Sequence, residues 1–196
     1  MPLLPTFVFF SLALAATSAS TTQSGPKGLE SQPAPDFALT TLSGEQVKLS
    51  SLRGKVVLIN FWVSWSAPCK VELPYFQQFS GDKELIGNGL IVLAINQREP
   101  REKVRDFLAR NNLTLAVPLD SDGAVSNSFQ VPGFPTTVLI GRDGIIRKII
   151  FGYGGDDGAK ELRAMIEDAL KSPATPATMT TATPATMTTA TPTTQS

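Results

Sequence analysis

Residues 61–74 read FWVSWSAPCKVELP, and this stretch joins two segments of different hydrophobic periodicity. Residues 56–63, which overlap the beginning of this stretch, are almost continuously apolar and rich in β-branched side chains, which is typical of a strand covered on both faces. Residues 68–79 place apolar side chains at helical spacing, and Pro68 is tolerated in a first helical turn because its missing N–H would be unpaired there. Residues 90–95 repeat the pattern of a buried strand. The order predicted is therefore strand, tight turn, helix and strand.

The flanking sequence predicts two further helices and two hairpins. In chain order these are a small hairpin over residues 37–39 and 46–49, a half-exposed helix over 99–111, a hairpin over 136–140 and 145–151, and a closing helix over 159–170. The Asp143-Gly144 pair in the second hairpin is a strong turn signal, so its strands are antiparallel. The chain is therefore predicted to be an α/β domain with a central mixed sheet flanked by helices and an extra N-terminal β-hairpin.

Composition excludes several classes of function. The 196 residues suit one domain, and 17 basic against 17 acidic residues leave a formal net charge of +0, which provides no basic footprint for nucleic acid. The chain has no histidine and one cysteine. Zinc clusters, Ser-His-Asp triads, Cys-His dyads and an intramolecular disulfide are thereby excluded. We expect no metal and no cofactor.

The N-terminal residues resemble an export signal. Residues 3–16 are apolar (LLPTFVFFSLALAA) and small residues follow at 17–20, which is the layout of a secretory signal with a cleavage site. The run is shorter than the roughly 20 residues that span a bilayer, which favours a signal peptide over a membrane anchor. It lacks the basic residues with which a signal peptide usually starts. We predict a signal peptide over residues 1–20, a linker over 21–32 and an extracytoplasmic location, periplasmic or secreted. Membrane association through an uncleaved N-terminal segment is the alternative.

The C-terminal residues repeat. Residues 175–182 and 183–190 both read TPATMTTA, and residues 172–196 carry no charge. A Thr/Pro/Ala segment buries too little apolar surface to offset its ordering entropy. We therefore predict a domain over residues 33–171 followed by a disordered spacer over 172–196, with O-glycosylation of the threonines as an alternative role.

The motif at the strand–helix junction resembles that of thioredoxin-fold proteins, specifically the exported TlpA/ResA group of thiol-disulfide oxidoreductases, which are related to the redoxin and AhpC/TSA proteins. The resemblance covers roughly residues 33–170. It rests on PDF at 35–37, LRGK at 52–55, NFW at 60–62, Trp65 with APC at 67–69, then Glu72 and Pro74, and VPGFPTT at 131–137. It implies a thioredoxin-like fold, protein thiols and disulfides as partners, and a cis-proline at Pro135.

The departure from the family concerns Ser66. The family motif is Cys-X-X-Cys at a helix start, where the first thiolate attacks a disulfide and the second resolves the intermediate. In this chain the motif is Ser66-Ala67-Pro68-Cys69. A serine hydroxyl is un-ionised at neutral pH, yet serine is a good helix N-cap. We therefore expect an intact fold with two-cysteine exchange impaired or absent. Engineering, a natural pseudo-enzyme and a natural one-cysteine enzyme are three explanations of Ser66.

Four further residues complete the candidate site. We predict that Cys69 is a buried thiol of low reactivity, with reaction as a single cysteine as the alternative. The resemblance implies that Glu72 tunes the site, against an ordinary solvated helix glutamate. Trp65 and Phe134 would line a groove for an extended substrate. Trp62, in contrast, is predicted to lie in the core.

Two other functions remain open at this point. One is a non-catalytic module that binds extended peptide segments or thiol-bearing partners in the groove of Trp65, Phe134 and Pro135. The other is a one-cysteine enzyme that reacts with peroxide or thiols through Cys69. A peroxiredoxin is disfavoured because the sequence Pro-x-x-x-Thr-x-x-Cys is absent around Cys69.

Overall fold

The computed structural model of the chain describes residues 23–24 and 28–173. The predicted signal peptide over residues 1–20 lies outside the described residues, as does the predicted tail from residue 174 onward. Among the helices of the described part, none combines the length and the apolar character needed to cross a membrane.

The described residues form eight strands, five α-helices and one 3-10 helix. The strands are β1 (Gln23–Ser24), β2 (Ala38–Thr40), β3 (Gln46–Lys48), β4 (Val56–Trp62), β5 (Leu90–Gln97), β6 (Leu119–Asp120), β7 (Thr136–Ile140) and β8 (Ile146–Phe151). The helices are α1 (Ala67–Gly81), α2 (Lys83–Gly87), α3 (Arg101–Arg110), α4 (Ala124–Ser128) and α5 (Gly155–Lys171), and the 3-10 helix is Leu49–Leu52.

Six strands form one mixed sheet in the order β1-β8-β7-β4-β5-β6, and β2 and β3 form a separate antiparallel pair. Strand β4 is parallel to β5 and antiparallel to β7, while β7 and β8 form the antiparallel hairpin. Gly144 in the hairpin turn has a φ of 77°, a conformation that glycine adopts without steric cost. The predicted α/β class, the mixed sheet and the N-terminal hairpin are thus confirmed.

Five short elements and one helix start differ from the prediction. The elements that were not predicted have two to five residues, which is too short for a hydrophobic period to show; they are the strands β1 and β6, the helices α2 and α4, and the 3-10 helix. Helix α5 begins at Gly155 rather than at residue 159, and its first turn carries Asp156 and Asp157 instead of apolar residues. Acidic side chains at that end complement the helix dipole.

The sheet separates two apolar layers, and all seven residues of β4 are buried between them. One layer contains Trp62, Leu73 and Phe76, and the other contains Phe61 and Phe129. The prediction that Trp62 lies in the core is confirmed: its indole nitrogen donates to the Ala94 carbonyl at 3.0 Å, and its ring lies 5.0 Å from that of Phe107.

The topology brings the two parts of the predicted motif together. Strand β4 ends at Trp62, and a short turn leads into α1 at Ala67. Strand β7 starts at Thr136, which pairs antiparallel with Phe61 near the end of β4. The loop before β7 therefore reaches the same edge of the sheet as the start of α1.

Candidate active site

Ser66 is the N-cap of helix α1. Its hydroxyl accepts a hydrogen bond from the backbone N–H of Cys69 at 3.3 Å and donates one to the carbonyl of Phe134 at 3.3 Å. The residue is buried, with 6% of its surface exposed. The predicted capping role is therefore confirmed, and the hydroxyl also joins the helix start to the loop before β7.

The loop opposite the helix start contains the only cis peptide bond in the described residues, between Phe134 and Pro135. The expected cis-proline is thus confirmed at Pro135. The ring of Phe134 meets that of Trp65 edge to face, with centroids 6.3 Å apart. Trp65 is 68% exposed, so an apolar surface lies beside the motif. The part that Trp65 and Phe134 play in binding substrate remains a prediction.

Cys69 lies behind Ser66, in the first turn of α1. It is a free cysteine with 0% of its surface exposed. Burial raises the pKa of its thiol, the polar neighbours Ser66 and Val63 oppose this only in part, and the charge of Glu72 raises the pKa further. The sulfur is therefore kept protonated and away from solvent, and its low reactivity remains a prediction.

Glu72 is buried one turn beyond Cys69, with 7% of its surface exposed. It accepts hydrogen bonds from the Asn60 amide at 2.6 Å and from the Thr137 hydroxyl at 3.5 Å. Burial nevertheless raises the pKa of its carboxyl to about 7, because these two bonds offset only part of the lost hydration. The alternative of a solvated helix glutamate is therefore wrong.

Sequence reasoning missed Asn60 and Thr137. They are direct cross-strand partners on β4 and β7, and the Asn60 amide also lies 3.3 Å from the Thr137 hydroxyl. Both are buried at 2% exposure or less. A polar residue within an apolar run such as VVLINFWV indicates a buried polar contact, and this signal would have pointed to Asn60.

A cavity of about 30 Å³ adjoins this network, lined among others by Glu72, Tyr75, Thr137, Ile150 and Leu162. A space of this size has room for a water molecule beside a polar group. Glu72 and Thr137 are therefore among the polar residues that line a small cavity between α1 and α5.

A second buried carboxylate, which the sequence analysis also missed, fixes the turn before Ser66. Glu99 accepts hydrogen bonds from the Ser64 N–H at 2.6 Å, the Ser64 hydroxyl at 2.7 Å and the Asn96 amide at 2.9 Å, and it pairs with Lys103 at 2.7 Å. Burial alone would raise its pKa, but these contacts outweigh burial and hold the pKa of Glu99 below its usual value. Glu99 is therefore a charged anchor for the turn that carries Trp65.

The chemistry open to this arrangement is narrow. The site holds one sulfur, and the Ser66 hydroxyl contacts a backbone N–H and a carbonyl rather than a base. Without a base, that hydroxyl is not activated as a nucleophile. Among the described residues no group of three or more acidic or cysteine side chains has the geometry of a metal site.

Comparison with known proteins identifies the family. Residues 31–149 match the model of the AhpC/TSA family. The thiol-disulfide oxidoreductase ResA of Geobacillus kaustophilus is 40% identical over 119 residues, which cover 61% of this chain and 67% of that protein.

Two solved structures of thiol-disulfide proteins are also similar to this chain. A chain described as a candidate thiol:disulfide interchange protein DsbE from Chlorobium tepidum has a TM-score of 0.66 and 32% identity, covering 72% of this chain and 97% of that one. A secreted Mycobacterium tuberculosis disulfide oxidoreductase, homologous to E. coli DsbE, has a TM-score of 0.58 and 25% identity, with 67% and 95% covered. With its thioredoxin-like sheet, its cis-proline loop and these relatives, the chain belongs to the AhpC/TSA family and, within it, to the ResA-like thiol-disulfide oxidoreductases.

Proposed function

We propose that this chain is an exported thioredoxin-like protein of the thiol-disulfide oxidoreductase family that does not carry out two-cysteine exchange. The observation that carries the proposal is the position of Ser66. Its oxygen occupies the helix start where the family has its attacking sulfur, and the remaining thiol of Cys69 is buried behind it.

The reaction of the family explains why this substitution is decisive. A thiolate attacks one sulfur of a substrate disulfide, a mixed disulfide forms, and the other substrate sulfur leaves as a thiolate. The second cysteine then attacks the mixed disulfide, which releases the reduced substrate and leaves a disulfide in the enzyme. An oxygen at position 66 forms neither the mixed disulfide nor the internal one, so both steps are lost.

Export is supported by residues 3–16, whose apolar run precedes small residues. The Mycobacterium tuberculosis relative is itself a secreted protein. Fractionation of cells that produce the full chain, with mass determination of the product, tests this part. A mature species that lacks about the first 20 residues outside the cytoplasm is expected, and an uncleaved product in the membrane fraction would favour the anchored alternative.

Insulin reduction by dithiothreitol tests the loss of exchange. We expect the wild-type chain to leave the uncatalysed rate unchanged, and Ser66→Cys to accelerate it. Adding Cys69→Ala to Ser66→Cys should abolish that gain. Ser80→Cys is the matched control, because it adds a thiol to the same helix away from the motif. Acceleration by the wild-type chain, or by Ser80→Cys as much as by Ser66→Cys, would contradict the proposal.

Trp65 favours a second candidate function, a non-catalytic module that binds extended peptide segments. Its ring is 68% exposed and packs edge to face on Phe134, beside the cis-proline. A large aromatic ring left in water beside a fixed loop suits a binding surface. This function requires that binding of a fluorescein-labelled peptide, followed by fluorescence anisotropy, persists in Cys69→Ala and weakens in Trp65→Ala.

The one-cysteine enzyme is less well supported, because a buried thiol with a raised pKa reacts slowly with peroxide. Peroxide consumption by the wild-type chain that disappears in Cys69→Ser would replace our proposal with this one.

A further inference from the structure

A surface groove of about 370 Å³ lies beside Trp65, between the start of α1 and one face of α3. It is lined, among others, by Trp65 and Lys70 on the α1 side and by Lys103, Phe107 and Arg110 on α3. The last three recur at helical spacing, so they form one stripe along α3. The groove lies outside the Ser66, Cys69 and Glu72 contacts described above.

The charged residues that line this groove are all basic. The lining includes three cationic side chains and, within the described part of the chain, no carboxylate. The whole chain has equal numbers of basic and acidic residues, so this is a local concentration of one sign. Lys103 is already paired with the buried Glu99 at 2.7 Å.

The other two cations are available. Lys70 makes no ion pair with any described residue. The guanidinium of Arg110 donates from Nε to the backbone carbonyl of Asp106 at 3.1 Å, and no ion pair joins it to a described carboxylate. Its two terminal nitrogens remain free to bind a carboxylate side by side.

The apolar part of the groove suits a protein segment rather than a bare ion. The Trp65 ring is 68% exposed, and Phe107 lies in the lining while packing on Trp62. Tryptophan and arginine are among the residue types enriched at the positions that contribute most binding energy in protein interfaces. Glu99 holds the turn that carries Trp65, so the aromatic wall is fixed before a partner arrives.

We propose that this groove docks an acidic, extended segment of a partner protein, with its carboxylates on Lys70 and Arg110 and an apolar side chain against Trp65. Charge complementarity selects this occupant, because a lining of one sign repels basic segments and attracts acidic ones. The formal net charge of +0 disfavours nucleic acid as the occupant. The proposal goes beyond the proposed function, since it depends on neither export nor the chemistry of position 66.

The test uses three fluorescein-labelled peptides, GEFEFEG, GQFQFQG and GKFKFKG, with binding to the full chain followed by fluorescence anisotropy. The acidic peptide should bind most tightly, and its affinity should fall as NaCl rises from about 50 mM to about 500 mM. Lys70→Glu and Arg110→Glu should each weaken it roughly threefold to tenfold. Arg105→Glu is the matched control: it makes the same charge change on α3 but lies outside the groove, and it should leave affinity unchanged.

Circular dichroism and thermal unfolding establish that each variant is folded. Equal binding of GQFQFQG and GEFEFEG would overturn the proposal, as would equal losses in Arg105→Glu and Arg110→Glu. An oligothymidylate that binds as tightly as the acidic peptide, with the same dependence on Lys70 and Arg110, would show a general polyanion site and overturn it too. None of these outcomes depends on the insulin assay, so this proposal and the proposed function fail separately.

Discussion

The hydroxyl of Ser66 lies 3.3 Å from the backbone nitrogen of Cys69, three residues further along the chain, and closes the first turn of α1. The residue that stands in place of the family's first cysteine therefore also caps the helix. A side-chain oxygen satisfies a helix N–H better than sulfur does, because sulfur is a weak acceptor. The proposed loss of two-cysteine exchange and the capped helix start thus both depend on the oxygen of Ser66.

Ser66→Ala is expected to lower the free energy of unfolding by about 1 kcal/mol, because it removes the cap from the Cys69 N–H and the bond to the Phe134 carbonyl. Urea denaturation measures the change. Ser80→Ala is the control on the same helix, since its hydroxyl bonds back to the Gln77 carbonyl and should matter little. Equal losses in the free energy of unfolding in the two variants would show that Ser66 has no special role in stabilising α1.

The Cys69 thiol is expected to react with maleimide at least about a hundredfold more slowly in the folded chain than in urea, because its side chain is fully buried. Cys69→Ala combined with Val71→Cys moves the single thiol to an exposed position on the same helix. That variant should react at the rate of a free thiol in both states. Fast labelling of the folded wild-type chain would show that Cys69 is accessible and would support the one-cysteine enzyme instead.

Glu72 should make stability fall as pH rises. The pKa of its carboxyl is about 7 in the folded chain against an ordinary value of 4.5, so the folded state binds more protons between these values. The free energy of unfolding therefore decreases through that window, and the loss is complete above it. Glu72→Gln removes the effect and should gain up to about 3 kcal/mol near pH 8, with little change near pH 4.

Urea denaturation of both proteins between about pH 4 and pH 8 measures this difference. Glu45→Gln makes the same chemical change at an exposed position in the N-terminal hairpin and should leave the profile of the wild type unchanged. A difference between wild type and Glu72→Gln that stays constant with pH would contradict the burial argument.

Glu99 should act in the opposite direction. The pKa of Glu99 is lowered in the folded chain. Its contribution to the free energy of unfolding is therefore present above the ordinary pKa of 4.5 and is lost as pH falls through the pKa of the folded state. Glu99→Ala leaves the Ser64 N–H and the Asn96 amide without their acceptor and should cost roughly 2–4 kcal/mol at neutral pH. Thermal or urea unfolding measures this cost. Glu102→Ala, at an exposed position on the same helix, should change stability by less than about 0.5 kcal/mol.

Much of this architecture follows from sequence periodicity. Strands β4 and β5 and helices α1 and α3 are long enough for apolar spacing to distinguish strand from helix, and Asp143-Gly144 specifies the hairpin turn. Helix α4 has five residues and strand β6 has two, so their positions depend on tertiary contacts that a short pattern does not carry.

The site was only partly predictable, for a different reason. Ser66, Cys69 and Pro135 lie in short motifs, so their positions at the helix start and the loop follow from the sequence. The sequence left a tuning role and a solvated position open for Glu72, because its burial depends on Asn60 and Thr137, which are 12 and 65 residues away along the chain. Glu99 likewise meets Ser64 from a separation of 35 residues. Partnerships of this kind are set by the folded sheet, and a local pattern does not contain them.

The pairing of Asn60 with Thr137 has a consequence for assembly of the sheet. A shift of β7 by one residue against β4 would turn the Thr137 side chain toward the opposite apolar layer, while Asn60 would keep its place. The carboxyl of Glu72 would then lose one of its two donors, and the Thr137 hydroxyl would be enclosed among apolar side chains without its partner. These three side chains therefore favour the native alignment of β4 and β7, because only that alignment brings both donors to the carboxyl group enclosed between α1 and the sheet.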